Sequence, residues 1–126
     1  MSLITNCKRK VCTYDIDSGR IENNAIYHNA LVGIKIMSNS DAIVRHNKIY
    51  RNGRGISVEG KSRGLIEENE LYDNFSFNVW VTSKSEPILE KNRIRDTQVG
   101  VYFDCADGKL KNNDIYDHTR SGVKIR

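Results

Sequence analysis

From residue 19 onward the chain repeats one pattern of apolar and polar positions: an aliphatic, two variable residues, an asparagine, one variable residue and a second aliphatic. Ile21, Val44, Ile66, Leu89 and Leu110 open the pattern. The asparagine is Asn24, Asn47, Asn69, Asn92 or Asn113, and Ile26, Ile49, Leu71, Ile94 and Ile115 close it. Seven or eight residues later comes an alternating pair: Ile34 with Ile36, Ile56 with Val58, Val79 with Val81, Val101 with Phe103, and Val123 with Ile125. Gly33, Gly55, Asn78, Gly100 and Gly122 precede the pairs. Successive asparagines stand 23, 22, 23 and 21 residues apart.

A period of this length marks a solenoid of stacked repeats. Leucine-rich repeats would carry leucine at most of these positions, whereas Ile and Val dominate here. β-Branched residues at period two favour short strands, and no segment shows helical periodicity. The expected fold is all-β, a right-handed parallel β-helix of about five coils, 21–23 residues per coil. Its coils stack at the inter-strand spacing of about 4.8 Å. The pattern divides the chain into a tail over 1–10, a partial coil over 11–18, and coils over 19–41, 42–63, 64–86, 87–107 and 108–126. Val11 is expected to match Ile34, because each lies ten residues before an opening aliphatic. With no amphipathic capping segment at either end, the chain reads as an uncapped piece of a longer solenoid, Met1 to Leu3 being an expression scar. Two such pieces are expected to stack end to end.

Composition fits this architecture. Only 38% of residues are hydrophobic and 29% are charged, too polar for a globular core of 126 residues. A column needs only about five inward side chains per coil. The net charge of +4 includes the run Lys8, Arg9, Lys10, which leaves the rest nearly neutral and predicts no nucleic-acid groove. That run is a solvated face, a localisation fragment or a phosphate contact. There is no apolar run of membrane-spanning length, which predicts no membrane partner, and no secretory leader. The expected location is the nucleus and cytoplasm. Cys7, Cys12 and Cys105 lack CxxC spacing, so neither a disulfide framework nor a metal site is expected.

The asparagines Asn24, Asn47, Asn69, Asn92 and Asn113 are expected to form a structural ladder of amides inside the coils. Asn29, Asn52, Asn74, Thr97 and His118 form a second polar column, broken after three coils. The glycines before the paired strand are assigned to corners that need backbone freedom, with Asn78 a substitute that tolerates the left-handed region. Asn74-Phe75-Ser76 matches a glycosylation sequon, discounted because its asparagine belongs to a structural column.

Function must then lie on outward columns. On the paired strand these residues are Lys35, Ser57, Trp80, Tyr102 and Lys124, followed by Met37, Glu59, Thr82, Asp104 and Arg126. The first column is the candidate binding site, because aromatics on a flat strand face are typical protein or sugar contacts; the alternative is that Trp80 covers the rim of the core. Tyr27, Tyr50, Tyr72, Arg95 and Tyr116 form a column read as corner stacking. Asp73, Asp96 and Asp117 share another, neutralised either by solvent and Arg51 and Arg95 or by calcium. Glu59 and Asp104 are the sole acids of their column, about 9.6 Å apart by two coil spacings. With no histidine or arginine read as lying beside the pair and no nucleophile motif, no catalytic residue and no cofactor is expected, and a carbohydrate-active or purely structural β-helix is the alternative to a binding scaffold.

The strings IENNAIYHNALVGIKI, LIEENELYDN, PILEKNRIRD and NNDIYDHTRSGVKIR resemble the β-helix repeats of the F-box-only protein family over residues 14–126. The resemblance implies the substrate-recognition solenoid of a cullin-RING ubiquitin ligase, with protein substrates as partners. It also implies docking of a Skp1-type adaptor through an F-box that this sequence does not contain. It carries over no catalytic residue, since other subunits of such a ligase supply the chemistry.

Overall fold

The computed structural model describes residues 2–5, 8–9 and 14–126, with side chains described from Gly19 onward. The chain winds as a three-sided parallel β-solenoid. One side stacks Ala25–Tyr27, Lys48–Tyr50, Glu70–Tyr72, Arg93–Arg95 and Asp114–Tyr116 into a parallel sheet. A second stacks Arg54–Val58 between residues 32–36 and Phe77–Thr82, then Val99–Asp104 and Ser121–Ile125. The third stacks residues 41–45, Arg63–Glu67, Ile88–Glu90 and Lys109–Lys111. The strand Val32–Arg45 runs through the corner between the second and third sides, which joins them into one sheet.

The register is the one the repeat predicts. Ile34, Ile56, Val79, Val101 and Val123 stand opposite one another, as do Ile36, Val58, Val81, Phe103 and Ile125. The aliphatic columns fill the interior: Ile21, Val44, Ile66, Leu89, Ile26, Ile49, Leu71 and Ile94 are fully buried. Like side chains therefore pack on like across parallel strands, the arrangement that suits β-branched residues. In the last coil Leu110, Val123 and Ile125 are exposed, because no described coil stacks on them.

The amide ladder runs unbroken. Asn47 Oδ1 accepts from the backbone N–H of Asn24 at 2.9 Å and from its side-chain amide at 3.1 Å, and Asn69, Asn92 and Asn113 repeat this one coil on. Each side chain also donates backward to a backbone carbonyl, as Asn69 does to Val44 at 2.9 Å. The second column bonds in the same manner through Asn29, Asn52 and Asn74. Asn74 is buried and its amide donates to Ile49 O at 3.2 Å, which keeps the sequon's asparagine inside the coil. A third polar column escaped the sequence reading: Ser40 and Ser62 donate their backbone N–H groups to the hydroxyls of Ser62 and Ser85 at 3.1 and 3.0 Å.

Three expectations need correction. The corner glycines Gly33, Gly55, Gly100 and Gly122 do not have positive φ, and neither does Asn78. The left-handed residues instead stand immediately before each polar column: Asn23, His46, Glu68, Lys91 and Asn112 before the ladder, and His28, Arg51, Asp73, Asp96 and Asp117 before the second column. The described parts of the expected tail are strands: Ser2–Thr5 pairs in parallel with Gly19 to Glu22, which sets Ile4 opposite Ile21, and Lys8–Arg9 pairs with Ala25 and Ile26. Finally, Tyr14 stands opposite Ile34, the partner the repeat had assigned to Val11. The register jumps between Ile16 and Ser18, which face Ile36 and Asp41, so this corner is shorter than those of later coils and counting back from Ile21 overshoots. Val11 itself, Cys7, Cys12 and Lys10 lie outside the described residues.

Candidate functional site

Strand pairing brings the five residues of the predicted column together: Lys35 faces Ser57, Ser57 faces Trp80, Trp80 faces Tyr102 and Tyr102 faces Lys124. They do not form the flat exposed strip the sequence suggested. Ser57 is 1% exposed and Tyr102 7% exposed, and Trp80 is half-buried. The covering groups come from the corner three residues earlier, where Val32, Arg54, Phe77, Val99 and Ser121 form their own column.

Arg54 lays its guanidinium over the Trp80 ring, with Cζ 4.0 Å from the centroid, and reaches to 6.0 Å from the Phe77 ring. Phe77 in turn leans on Tyr102 at 5.2 Å, and Lys124 Nζ lies 5.1 Å from the Tyr102 centroid. A hydrogen bond to the Tyr102 phenol and the Asp104 charge hold the Arg126 guanidinium above its ordinary pKa, so an arginine does stand beside Asp104, contrary to the sequence expectation. The result is an interleaved stripe of cations and aromatic rings, each stabilised by the other through the ring quadrupole. Arg54 and Phe77 were missed because their contact with the column crosses from one coil to the next. The available signal was the pairing register, which sets Arg54 one rung from Phe77.

Two polar atoms in this stripe are buried without a hydrogen-bond partner, Ser57 Oγ and Trp80 Nε1. Such atoms are rare in folded proteins, because each forfeits its bond to water. Beside Ser57 opens a groove of about 350 Å3, whose lining includes Lys35, Gly53, Arg54, Ser57 and Glu59. Its rim carries Leu31 and Phe75, 81% and 75% exposed, the two most exposed large apolar residues of the described chain apart from Ile125.

The other columns resolve into structure. Tyr27, Tyr50 and Tyr72 stack face to face with centroids 5.0 Å apart, and Arg95 Cζ caps the stack 4.3 Å above Tyr72. Arg95 also bonds Asp96 at 2.7 Å and Glu70 at 3.3 Å, and these hydrogen bonds raise its pKa. Asp73, Asp96 and Asp117 occupy left-handed corners, which short polar side chains tolerate better than most residues. No group of three or more metal-ligating side chains occurs among the described residues. Asp104 stands opposite Thr82, one coil from where Glu59 follows the strand Arg54–Val58. A wider groove of about 600 Å3 runs along the ladder corner, lined by Lys48, Glu70, Arg93 and Asp114. These four face one another in alternating charge, so their fields largely cancel. Cys105 is an exposed free thiol.

Two further results bear on the chain as a whole. A family model described as a right handed beta helix region matches residues 2–126. No curated protein sequence and no solved structure matches the chain.

Proposed function

The chain belongs to the right-handed β-helix family, and from that premise we propose that it is a non-catalytic scaffold that binds other proteins through its paired-strand face. The observation that carries this reading is the stripe of Arg54, Trp80, Phe77, Tyr102 and Lys124. Tryptophan, tyrosine and arginine are the residues that dominate protein-binding energies, above all where they are mutually packed and partly desolvated. A rigid solenoid holds them in place, so little side-chain freedom remains to be lost on binding.

The resemblance to F-box-only repeats supports a finer statement within this proposal. The solenoid serves as the substrate-recognition region of an F-box subunit of a cullin-RING ligase, acting in nucleus and cytoplasm. A Skp1-type adaptor would dock through sequence outside this chain.

The test is affinity capture from cell extract with the wild-type chain and a Trp80→Ala, Tyr102→Ala double variant whose circular dichroism matches wild type. The proposal expects a set of captured proteins, including cullin-RING substrates, that the variant loses. Capture unchanged by the double substitution would place binding elsewhere. Turnover of an acidic polysaccharide, abolished by Glu59→Gln or Asp104→Asn, would replace the scaffold reading with a carbohydrate-active one.

A further inference from the structure

We propose that the groove at Gly53 receives an extended acidic peptide segment of the partner protein, with a carboxylate on Arg54 and a bulky apolar side chain seated between Leu31 and Phe75. This rests on the scaffold reading above and specifies the chemistry of what the scaffold binds.

The groove lining includes a glycine that sits between two turns. Gly53 donates its N–H to Asn29 O at 3.0 Å, and its carbonyl accepts from the Ser76 N–H at 3.0 Å, so it lies between the corner that carries Leu31 and the corner that carries Phe75. A Cβ on Gly53 would come within 2.5 Å of the carbonyls of Ala30 and Leu31, which excludes any side chain. The two exposed apolar residues both line this groove. They belong to coils two steps apart, about 9.6 Å at the parallel spacing. That width admits one aliphatic side chain in van der Waals contact with both neighbours.

The polar groups on the floor lack acceptors. Arg54 has no carboxylate within 4.0 Å among the described residues, although the guanidinium carries five donors in a fork that matches a carboxylate. The contact of Arg54 Cζ with the Trp80 ring, 4.0 Å from its centroid, holds that fork at the groove. Ser57 Oγ, buried on the same floor, also lacks a partner. Lys35 adds a second cation to the lining, against the single acid Glu59. The groove therefore supplies donors and positive charge and asks for an acceptor with negative charge. A glutamate or aspartate beside a leucine-sized residue meets both demands at once.

The experiment titrates 15N-labelled protein with the pentapeptide Gly-Glu-Leu-Glu-Gly, and separately with Gly-Lys-Leu-Lys-Gly, following amide and indole resonances. The acidic peptide should shift Gly53, Arg54, Ser57 and the Trp80 indole in a saturable manner, with the lysine peptide at least tenfold weaker. Arg54→Glu should weaken the acidic peptide at least tenfold, and Leu31→Ser with Phe75→Ser should do the same while leaving the circular dichroism unchanged. Equal response to both peptides, shifts confined to other faces, or indifference to both variants would overturn the assignment. If the acidic peptide fails while Trp80→Ala, Tyr102→Ala still abolishes protein capture, the groove assignment falls and the scaffold reading stands. If capture is also indifferent to that pair, the scaffold reading falls with it.

Discussion

The side-chain oxygen of Asn78 accepts a hydrogen bond from the Thr97 hydroxyl at 2.9 Å and another from the Asn74 amide at 2.7 Å. In the preceding coils the acceptor for such an amide is the asparagine one coil further on, Asn52 for Asn29 and Asn74 for Asn52. Thr97 is too short to play that part. Asn78, from the column that holds glycine in the other coils, turns inward and takes it over, donating its own amide to Arg95 O at 3.1 Å. The two columns trade volume. A Cβ on Gly55 would lie 3.0 Å from Asn74 Nδ2, and one on Gly100 2.8 Å from His118 Nε2, so a long column residue demands glycine and a threonine admits asparagine.

This exchange predicts a rescue. Asn78→Gly leaves the Asn74 amide short of one acceptor and should cost about 1–3 kcal/mol. Adding Thr97→Asn restores the ladder used by the earlier coils and should recover more than half of that loss. Urea unfolding of the two single variants and the double variant reads the coupling directly; strictly additive costs would show that the two positions do not compensate.

The central ladder is expected to be less tolerant. In Asn69→Leu, the Asn47 backbone N–H and side-chain amide both lose the acceptor they reach at 3.0 Å, and Val44 O loses its donor. A loss of about 3 kcal/mol or more is expected, and Asn113→Leu, at a half-exposed rung, should cost distinctly less. Equal costs at the two rungs would show that burial of the amides is not what the ladder contributes.

The glycines divide by contact. Gly100→Ala drives a Cβ to 2.5 Å from Gly122 O, backbone that cannot move aside cheaply, whereas at Gly122 the nearest atom is the Ile115 side chain at 3.2 Å. Overpacking of this kind costs about 1–3 kcal/mol. Thermal unfolding should place Gly100→Ala well below Gly122→Ala, and matching midpoints would contradict the close-approach explanation.

Stability should also fall at alkaline pH through Tyr72. Burial, chiefly, with help from Tyr50 and Glu70, raises the phenol above its ordinary 10.0. The folded chain then holds this proton more tightly than the unfolded chain, so the stabilisation is complete below pH 10.0 and is lost as pH rises through the raised value. Tyr72→Phe should flatten that decline in urea midpoints measured from about pH 8 to 11. An identical decline in both proteins would assign it to other groups.

Much of the fold was legible in the sequence because a solenoid writes its core as columns. Ile34, Ile56 and Val79 repeat at the spacing at which they stack, and the ladder asparagines do the same. The serine ladder was equally periodic but easily overlooked, since serine is at home on any surface. Arg54 over Trp80 was not legible, because the contact joins positions 26 residues apart that belong to different columns. Nor was the burial of Ser57, which depends on what neighbouring coils lay across it. Asn78 looked like a glycine substitute chosen for its backbone, when its side chain is what the structure uses.

The position of a bound partner distinguishes the paired-strand face from every other side of the solenoid. Hydrogen exchange of the chain alone and bound to a captured protein should show new protection concentrated over residues 53–59, 75–82 and 99–104, the segments that carry Arg54, Phe75, Trp80 and Tyr102. Protection confined to the groove of Lys48, Glu70, Arg93 and Asp114, or to the stacked tyrosine side, would contradict it.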